Sequence, residues 1–587
     1  GGSSDASAFE CLETGTNATW SPSARKPLYT KRAGVNFSMD IAALKADGTL
    51  ESNYVAAGGN TKYVRVELFN DAATPAPACS AYSGPVASQT VAFASGNFSG
   101  SAGRALSGNF NLAATYSKLR CRVRECTDSS CGGFTAVVPA CSSDQFSVRP
   151  SAATLVTTAN AAAPSTTATP AIRAGANFTL RATTTPTTYA GSLALDTGKL
   201  SAQTTTQAST QASGGVVGTL SASALAANAA ALNATYSEVG YLYLAAGAYR
   251  DDALTAVDAA QGDCVTDTTN GNNLSDALSG GKYGCAVGNK TAVSLGRFYP
   301  DHFTISSPAV APFCSATATT FTYFGQDGFG TNFTMTAQNA GNGTTQNYRG
   351  VFAKFVTTGY GNYGFTGSTL PAGSALQTSA TAPTGTWIDG VAAIVARHQV
   401  SRPTNPAADT LLTVNAAPSD GEVLASAATA VGNNVRLRYG RLRMQNAYGS
   451  ELLALPVPLE AQYWNGTFYV TNTDDSCTEL PMDSIVMSNF TGGLAACETH
   501  IKSPTGTATL ANGAIAGGLK LAAPGTGNAG SVDLAINVTA AAAGNTCVSS
   551  AQSAATAANR PWFGPNLGGR ATFGIYKSPL IYLRENY

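Results

Sequence analysis

Three similar phrases decide the predicted architecture: Gly34-Val-Asn-Phe-Ser-Met39, Gly175-Ala-Asn-Phe-Thr-Leu180 and Gly330-Thr-Asn-Phe-Thr-Met335. Each copy places a glycine-containing turn ahead of a Phe, a hydroxyl residue and a long apolar residue. This alternation predicts the entry into a half-buried β-strand. The copies lie about 150 residues apart, which is the length of a domain and not of a solenoid unit. The sequence therefore predicts a row of related β-domains.

Two further phrases recur in the same order. Asp144-Gln-Phe-Ser-Val148 matches Asp301-His-Phe-Thr-Ile305, and Ala114-Thr-Tyr-Ser117 matches Ala234-Thr-Tyr-Ser237. The tyrosine of the second phrase is predicted to anchor a turn that enters a late strand, as in immunoglobulin-like domains. We therefore predict an all-β fold of tandem immunoglobulin-like β-sandwich domains with long Thr/Ser/Ala-rich loops and disulfides. The predicted domains span residues 1–143, 144–300, 301–475 and, as a C-terminal β-domain, 476–587.

Low-complexity sequence fills two stretches of the second domain, around residues 151–171 and 201–230. These tracts are long surface loops, polar outer faces of strands, or sites of O-glycosylation. Within the second tract, Ser221–Leu232 is rich in Ala and Leu, so propensity alone favours a short helix there. Further along, residues 435–444 alternate apolar residues with Arg around a glycine. That pattern predicts either a β-ribbon with a basic face or a solvated strand face paired with acidic neighbours.

Charge and composition exclude several classes of protein. The 587 residues carry 34 basic and 34 acidic side chains, so no basic field is available for nucleic acid. Hydrophobic residues make up 44% of the chain, which is enough to build real cores. No run of about 18 apolar residues occurs, so a membrane-spanning helix is not expected. Nucleic acid is therefore not an expected partner.

The cysteines form an even set of twelve, with no Cys-x2-Cys pair of the kind that zinc sites use. Disulfides formed in an oxidising compartment are the better interpretation. Cys264 and Cys285 bracket a Gly/Asn/Asp-rich loop, and Cys126 and Cys131 enclose a turn-like Thr-Asp-Ser-Ser. Cys497 and Cys547 are further disulfide candidates. The cysteines and the Thr/Ser-rich composition indicate a secreted or cell-surface protein.

Catalytic chemistry finds little support in the sequence. Only three histidines exist, His302, His398 and His500, and none has a visible partner. Asp301 and His302 are adjacent, but neighbours on a strand point to opposite faces. Phosphate-binding glycine motifs are not found. The acidic pairs Asp251-Asp252 and Asp474-Asp475 suit either a solvated turn or a calcium site, because calcium takes oxygen ligands from loops. No other cofactor and no catalytic residue are expected.

Five phrases together carry a resemblance to a known family. They are Gly296-Arg-Phe-Tyr-Pro-Asp-His-Phe303, Tyr439-Gly-Arg-Leu-Arg443, Asn446-Ala-Tyr-Gly-Ser-Glu-Leu452, Ala461-Gln-Tyr-Trp464 and Phe573-Gly-Ile-Tyr576 with Tyr582-Leu-Arg-Glu585. This set resembles the large C-terminal domain of unknown function in the MSHA pilus biogenesis protein MshQ family. The resemblance implies a large secreted or surface protein, encoded with type IV pilus machinery in some bacteria. The family assigns no active-site residues, so none is transferred. Its members often carry a lectin-like domain ahead of this region, which this sequence does not show.

Two functional hypotheses follow. The first is a non-enzymatic extracellular bacterial protein associated with a type IV pilus or other filament, in adhesion or filament assembly. Its expected partners are pilin, other filament or cell-surface proteins, and glycans. The second is a secreted enzyme acting on cell-surface polysaccharide. Candidate ligand contacts are Tyr360, Tyr363 and Phe365 of one aromatic loop and Trp464 beside Asn465-Gly466, all of which equally suit internal packing.

Overall fold

A computed structural model gives the fold of most of the chain. It describes residues 5–15, 28–54, 62–73, 75–94, 103–160, 167, 169–203, 214–254, 262, 264–265, 274–314, 319–423, 427–539, 541–565 and 567–574. In this part of the chain every regular element is a β-strand or a short 3-10 turn, and no α-helix occurs. The all-β prediction is therefore confirmed. No helix among these residues has the length and apolar character that crossing a membrane requires.

The strands fall into four successive sets. The first set comprises Ala8–Glu13, Lys31–Arg32, Met39–Leu44, Lys62–Asn70, Ala87–Phe93, Arg104–Leu106, Tyr116–Glu125, Ala140–Cys141 and Phe146–Arg149. The second comprises Ala152–Thr157, Ile172–Arg173, Phe178–Thr185, Ser192–Leu195, Leu200–Gln203, Ala224–Ala226, Leu232–Ala234, Gly240–Leu244, Tyr249–Asp251, Val287–Gly288 and Val293–Tyr299.

The third set comprises His302–Ala311, Thr322–Tyr323, Phe329–Gln338, Thr366–Gly367, Leu376–Thr378, Trp387–Ile388, Val391–Val400, Thr410–Leu412, Val414–Ala416, Thr429–Ala430 and Val435–Arg438. The fourth comprises Gly440–Met444, Ala447–Gly449, Leu455–Val457, Leu459–Trp464, Tyr469–Thr471, Glu479–Pro481, Ile485–Gly492, Ile501–Ser503, Thr507–Thr509, Leu519–Leu521, Gly530–Ile536, Asn545–Thr546, Ser553–Ala554 and Gly569–Phe573. This set opens at Gly440, well before the predicted bound at residue 475. Six 3-10 turns complete the described elements: Cys79–Ala81, Thr197–Lys199, Gly350–Phe352, Tyr360–Tyr363, Met482–Ser484 and Pro561–Phe563.

All four sets share one arrangement. The opening strand pairs antiparallel with a strand of the same sheet: Ala8–Glu13 with Met39–Leu44, Ala152–Thr157 with Phe178–Thr185, His302–Ala311 with Phe329–Gln338, and Gly440–Met444 with Leu459–Trp464. Between these two strands a short strand leaves for another sheet and pairs in parallel with the closing strand of the set. The four short strands are Lys31–Arg32, Ile172–Arg173, Thr322–Tyr323 and Ala447–Gly449. A chain that changes sheets in this way joins the two layers of a sandwich.

In two of the three repeated phrases, the opening glycine forms the turn that follows the short strand. Gly34 and Gly175 follow their short strands with φ of +75° and +86°, a conformation that glycine adopts without strain. In the third set that turn glycine is Gly325, with φ of +85°. The predicted turn at Gly330 is wrong, because Gly330 lies inside the strand Phe329–Gln338 opposite Arg397. The Arg397 side chain lies across this glycine, with Nη1 2.1 Å from where a Cβ atom would stand.

The chain forms two compact units: residues 1–301 with 339–352, and residues 302–338 with 353–587. Each contains two strand sets with buried apolar cores. In the first set, Cys11 and Cys121 are fully buried and join the two sheets. All twelve cysteines form disulfides, the others being Cys79–Cys141, Cys126–Cys131, Cys264–Cys285, Cys314–Cys477 and Cys497–Cys547.

The predicted helix at Ser221–Leu232 is wrong. The segment instead contains the strand Ala224–Ala226 and leads into the strand Leu232–Ala234. Leu225 is buried between two exposed alanines, so burial follows the two-residue period of a strand and overrides helix propensity. The first Ala/Thr-rich tract begins as the strand Ala152–Thr157, with Ala152, Thr154 and Val156 on its exposed face. Residues 161–166, 168 and 204–213 of the two tracts lie outside the described residues.

The alternating Arg segment is not one ribbon. The strand Val435–Arg438 closes the third set and Gly440–Met444 opens the fourth, so the two halves lie in different sheets. Arg438 is buried where the sets meet. Its Nη1 donates to Asn472 Oδ1 and Asp474 Oδ2, each at 2.7 Å, and its guanidinium lies 4.2 Å from the ring centre of Tyr463. Because these three partners belong to the fourth set, Arg438 ties the two sets together.

Arg149 does the same between the first and second sets. It ends the closing strand Phe146–Arg149 and is buried. Its Nε donates to Gly284 O at 2.6 Å, and its Nη2 donates to Ser275 O and to Asp276 Oδ1. Inside each compact unit, the last residue of the first closing strand is thus a buried arginine that holds the following set.

Replacement of Arg438 by Met tests this role. The change removes the Arg438 guanidinium that donates to Asp474 and Asn472. About a quarter of the Asp474 side chain is exposed to water. We expect a loss of about 2–3 kcal/mol in the free energy of unfolding, measured by chemical denaturation. Arg436→Met is the matched control, because Arg436 pairs with Asp409 at the surface and its loss costs less than about 1 kcal/mol. Equal losses in the two variants would contradict the junction role.

Candidate functional site

The predicted aromatic loop Tyr360–Phe365 packs largely inside the protein. Tyr363 is fully buried, and its hydroxyl donates to Thr357 O at 2.5 Å. The Tyr363 ring stacks on Phe365 with ring centres 5.0 Å apart, while Tyr360 and Phe365 are half-buried. Tyr363 therefore builds the loop and offers no surface to a ligand.

His398 lies beneath this loop, on the strand Val391–Val400, and is fully buried. Its Nδ1 lies 2.9 Å from the Tyr360 hydroxyl and its Nε2 lies 2.7 Å from Thr331 Oγ1. Burial, with a smaller contribution from Arg397, lowers the pKa of His398 to about 4. Within the described chain neither ring nitrogen contacts a carboxylate, so His398 lacks the orienting acid of a catalytic triad. It is a neutral packing residue.

This lowered pKa predicts an acid-sensitive second unit. His398 takes up a proton more readily in the unfolded chain, at about pH 6.5, than in the folded protein at about pH 4. Its stabilising contribution is therefore complete above pH 6.5 and is lost as the pH falls towards 4, by at most about 1.4 kcal/mol per pH unit. Denaturation at pH 7.5, 6, 5 and 4.5 should show a smaller pH slope for His398→Gln than for the wild type. An unchanged slope in His398→Gln would refute the assignment.

The two acidic pairs considered for calcium bind protein donors. Asp251 accepts from the Tyr189 hydroxyl and from Ala253 N, and Asp252 pairs with Arg250. Asp474 pairs with Arg438. Asp475 accepts from the hydroxyls of Tyr323 and Thr478, and lies beside Cys314 and Cys477, whose sulfurs form a disulfide. These carboxylates therefore have internal structural partners.

The sequence did not indicate a cleft of about 190 Å³ in the first unit. It is lined by Glu13, Lys31, Arg32, the phrase residues 35–38, and Leu278, Gly281 and Tyr283, with Thr14 at its side. Glu13 is the one carboxylate in this lining, and both of its oxygens accept from Lys31 Nζ. A smaller cleft nearby is lined by Arg149, Lys290 and Asp276, whose carboxylate pairs with both cations. In each cleft the acidic group is already neutralised by a neighbour.

Trp464 lies in a different setting, on the sheet that opens the fourth set. Cross-strand pairing places Arg441 opposite Gln462 and Trp464 opposite Tyr469, so all four share one face. Trp464, Tyr469 and Arg441 are half-buried, and part of each side chain reaches the surface. The rings of Trp464 and Tyr469 lie edge to face with centres 5.1 Å apart, and the Arg441 guanidinium lies 3.7 Å from the Tyr469 ring centre. Phe468, in the turn between them, is 58% exposed.

Hydrogen bonds hold this face in place. Arg441 Nε donates to Gln462 Oε1 at 2.7 Å, and Gln462 Nε2 donates to Glu460 Oε1 at 2.6 Å. Thr471 Oγ1 donates to the other oxygen of Glu460. We call the residues Arg441, Arg443, Gln462, Trp464, Phe468 and Tyr469 the aromatic–arginine surface. Of the residues that form it, the sequence indicated Trp464 as a ligand contact; strand pairing supplies the others.

Two protein-family models match the second part of the chain. Residues 274–438 match the third domain of DUF6701, and residues 438–586 match its fourth domain. Residues 274–586 belong to the DUF6701 family. The two matches meet at Arg438, the buried cation between the third and fourth strand sets. DUF6701 is a family of unknown function, so the match gives no activity.

Comparisons with curated proteins and with solved structures give no further family. No curated protein matches the chain. Among solved structures, the native α2-macroglobulin of E. coli is 10% identical with a TM-score of 0.14, and the methylamine-reacted α2-macroglobulin of Salmonella is 10% identical with a TM-score of 0.13. Each alignment covers 90% of this chain and 30% of the macroglobulin. TM-scores this low do not indicate a shared fold.

Proposed function

We propose that this protein is a non-enzymatic extracellular protein of a bacterial surface that acts in adhesion or filament assembly with a type IV pilus or another filament. The observation that carries the proposal is that all twelve cysteines are paired in six disulfides within strand-built domains. Such pairing is favoured in oxidising compartments outside the cytoplasm. Buried arginines, Arg149 in one unit and Arg438 in the other, hold neighbouring strand sets together. The pilus association is supported by the resemblance to the MshQ family.

The aromatic–arginine surface supports adhesion in particular. Partly exposed aromatic rings beside fixed polar groups are suited to ligand contact, because the rings contribute large contact areas and the polar groups fix orientation. The groups of this surface lie on paired strands, so they are held in position before a ligand arrives.

The alternative is a secreted enzyme that hydrolyses cell-surface polysaccharide. Most glycosidases require two carboxyl groups roughly 5–9.5 Å apart across the scissile bond. The two clefts described above, both lined by residues of the first unit, each have a single lining carboxylate, Glu13 in one and Asp276 in the other, and each is ion-paired. This arrangement favours the non-enzymatic proposal.

Deletion of the encoding gene tests the proposal in cells. We expect surface attachment to fall at least tenfold while filaments remain visible by electron microscopy, and immunogold label against this protein to lie on the cell surface or the filaments. Restoring the wild-type gene is the control. A loss of filaments would assign the protein to assembly instead of adhesion. Normal attachment with intact filaments, or a pull-down without any pilin or filament protein, would overturn the corresponding part of the proposal.

A further inference from the structure

The aromatic–arginine surface carries more positive than negative charge: the one carboxylate on its face, Glu460, lies opposite Arg443 and acts electrostatically on Arg441. Arg441 and Arg443 lie on the same face of one strand, two residues apart. Their proximity contributes to the lowered pKa of Arg441, whose larger cause is burial. In the described part of the chain neither guanidinium forms an ion pair. Glu460 on the same face accepts hydrogen bonds from Gln462 and Thr471 with its two oxygens.

Arg402 adds a third cation beside this surface. Its guanidinium lies 3.7 Å from the Tyr439 ring centre, and its Nη1 donates to the carbonyls of Gly440 and Trp562. Arg402 and Arg441 are both close enough to Tyr469 to act on its hydroxyl electrostatically. Burial lowers the pKa of Arg402, and among the described residues it has no carboxylate partner. Two other arginines of this unit have carboxylate partners, Arg436 with Asp409 and Arg570 with Asp533, whereas Arg560 donates to backbone carbonyls.

These charges favour an anionic occupant. Glu460 offsets only part of the charge of Arg402, Arg441 and Arg443, and a bound anion reduces the repulsion that remains between them. The planar guanidinium donates two parallel hydrogen bonds to a carboxylate, which suits Arg441 and Arg443 to that group. The Trp464 ring and the Glu460 carboxylate match two features of a sugar, its apolar ring face and its hydroxyl groups. A peptide carboxylate shares the charge but not this pattern of apolar face and hydroxyls.

We propose that the aromatic–arginine surface binds acidic sugar units, of the uronate type, in a surface polysaccharide. Trp464 contacts the ring face of the sugar, Arg441 and Arg443 hold its carboxylate, and Glu460, which the buried Gln462 holds in place, accepts hydrogen bonds from its hydroxyls. The proposal deepens the adhesive function and rests on it only for the biological source of the glycan.

Binding of purified full-length protein to oligogalacturonate tests the inference directly. The neutral control is the same oligosaccharide with its carboxylates methyl-esterified, which keeps the sugar and removes the charge. We expect the acidic form to bind at least tenfold more tightly in calorimetry, with affinity falling as salt rises from 50 to 500 mM. Equal affinity for both forms, or binding of neither, would overturn the proposal. Preferential binding of a Glu-rich peptide would overturn it in favour of a protein partner.

Variants separate this surface from the rest of the protein. Trp464→Ala should weaken oligogalacturonate binding at least tenfold, and Arg441→Lys with Arg443→Gln should abolish the preference for the acidic form. Tyr448→Ala is the matched control, because Tyr448 is an exposed aromatic residue on another sheet of the same set and should leave binding unchanged. Thermal unfolding of each variant verifies its fold. An unchanged affinity in folded Trp464→Ala would refute the site, whereas normal cell attachment of the deletion strain would refute adhesion alone.

Discussion

The parallel pairing of a short early strand with the closing strand is the constraint on which the structure depends. It occurs in all four sets and brings the beginning of each set next to its end. The chain must then turn sharply to rejoin its first sheet, and Gly34, Gly175 and Gly325 supply that turn with positive φ. The pairing also fixes where the closing strand ends. The next set starts a few residues later, so that last position becomes a domain junction.

One arginine-rich sequence pattern has two different roles, one at a domain junction and one at the protein surface. Arg436, Arg438, Arg441 and Arg443 form a single alternation in the sequence, yet the chain passes from one set to the next between the second and third of them. Arg438 is buried against Asp474, while Arg441 lies partly exposed over Tyr469. A buried cation needs a fixed anion, whereas a partly exposed cation tolerates its absence because water screens it. The first therefore stabilises the fold and the second remains available to a ligand.

The sequence predicted the class of fold and part of the candidate site. Strand alternation identified an all-β chain, and the even cysteines indicated disulfides. Trp464 was singled out, but Tyr363 was singled out with it, and Tyr363 is fully buried. Aromatic residues fill cores and binding surfaces alike, so residue type cannot separate the two. The Ala-rich segment Ser221–Leu232 favoured a helix for a similar reason. Helix propensity is a local property and does not account for the sheet in which the segment pairs.

By itself, the sequence determined that this is a tandem array of disulfide-bonded β-domains, because strand period, glycine turns and cysteine number are local properties of the chain. Only the tertiary structure decided which glycine makes the third turn, and that a fourth set opens at Gly440. It also decided that Arg441, Gln462, Trp464 and Tyr469 share one face. These features depend on strand register, and a shift of one residue would send each side chain to the opposite face. Register is set by pairing between distant segments, which no short stretch of sequence specifies.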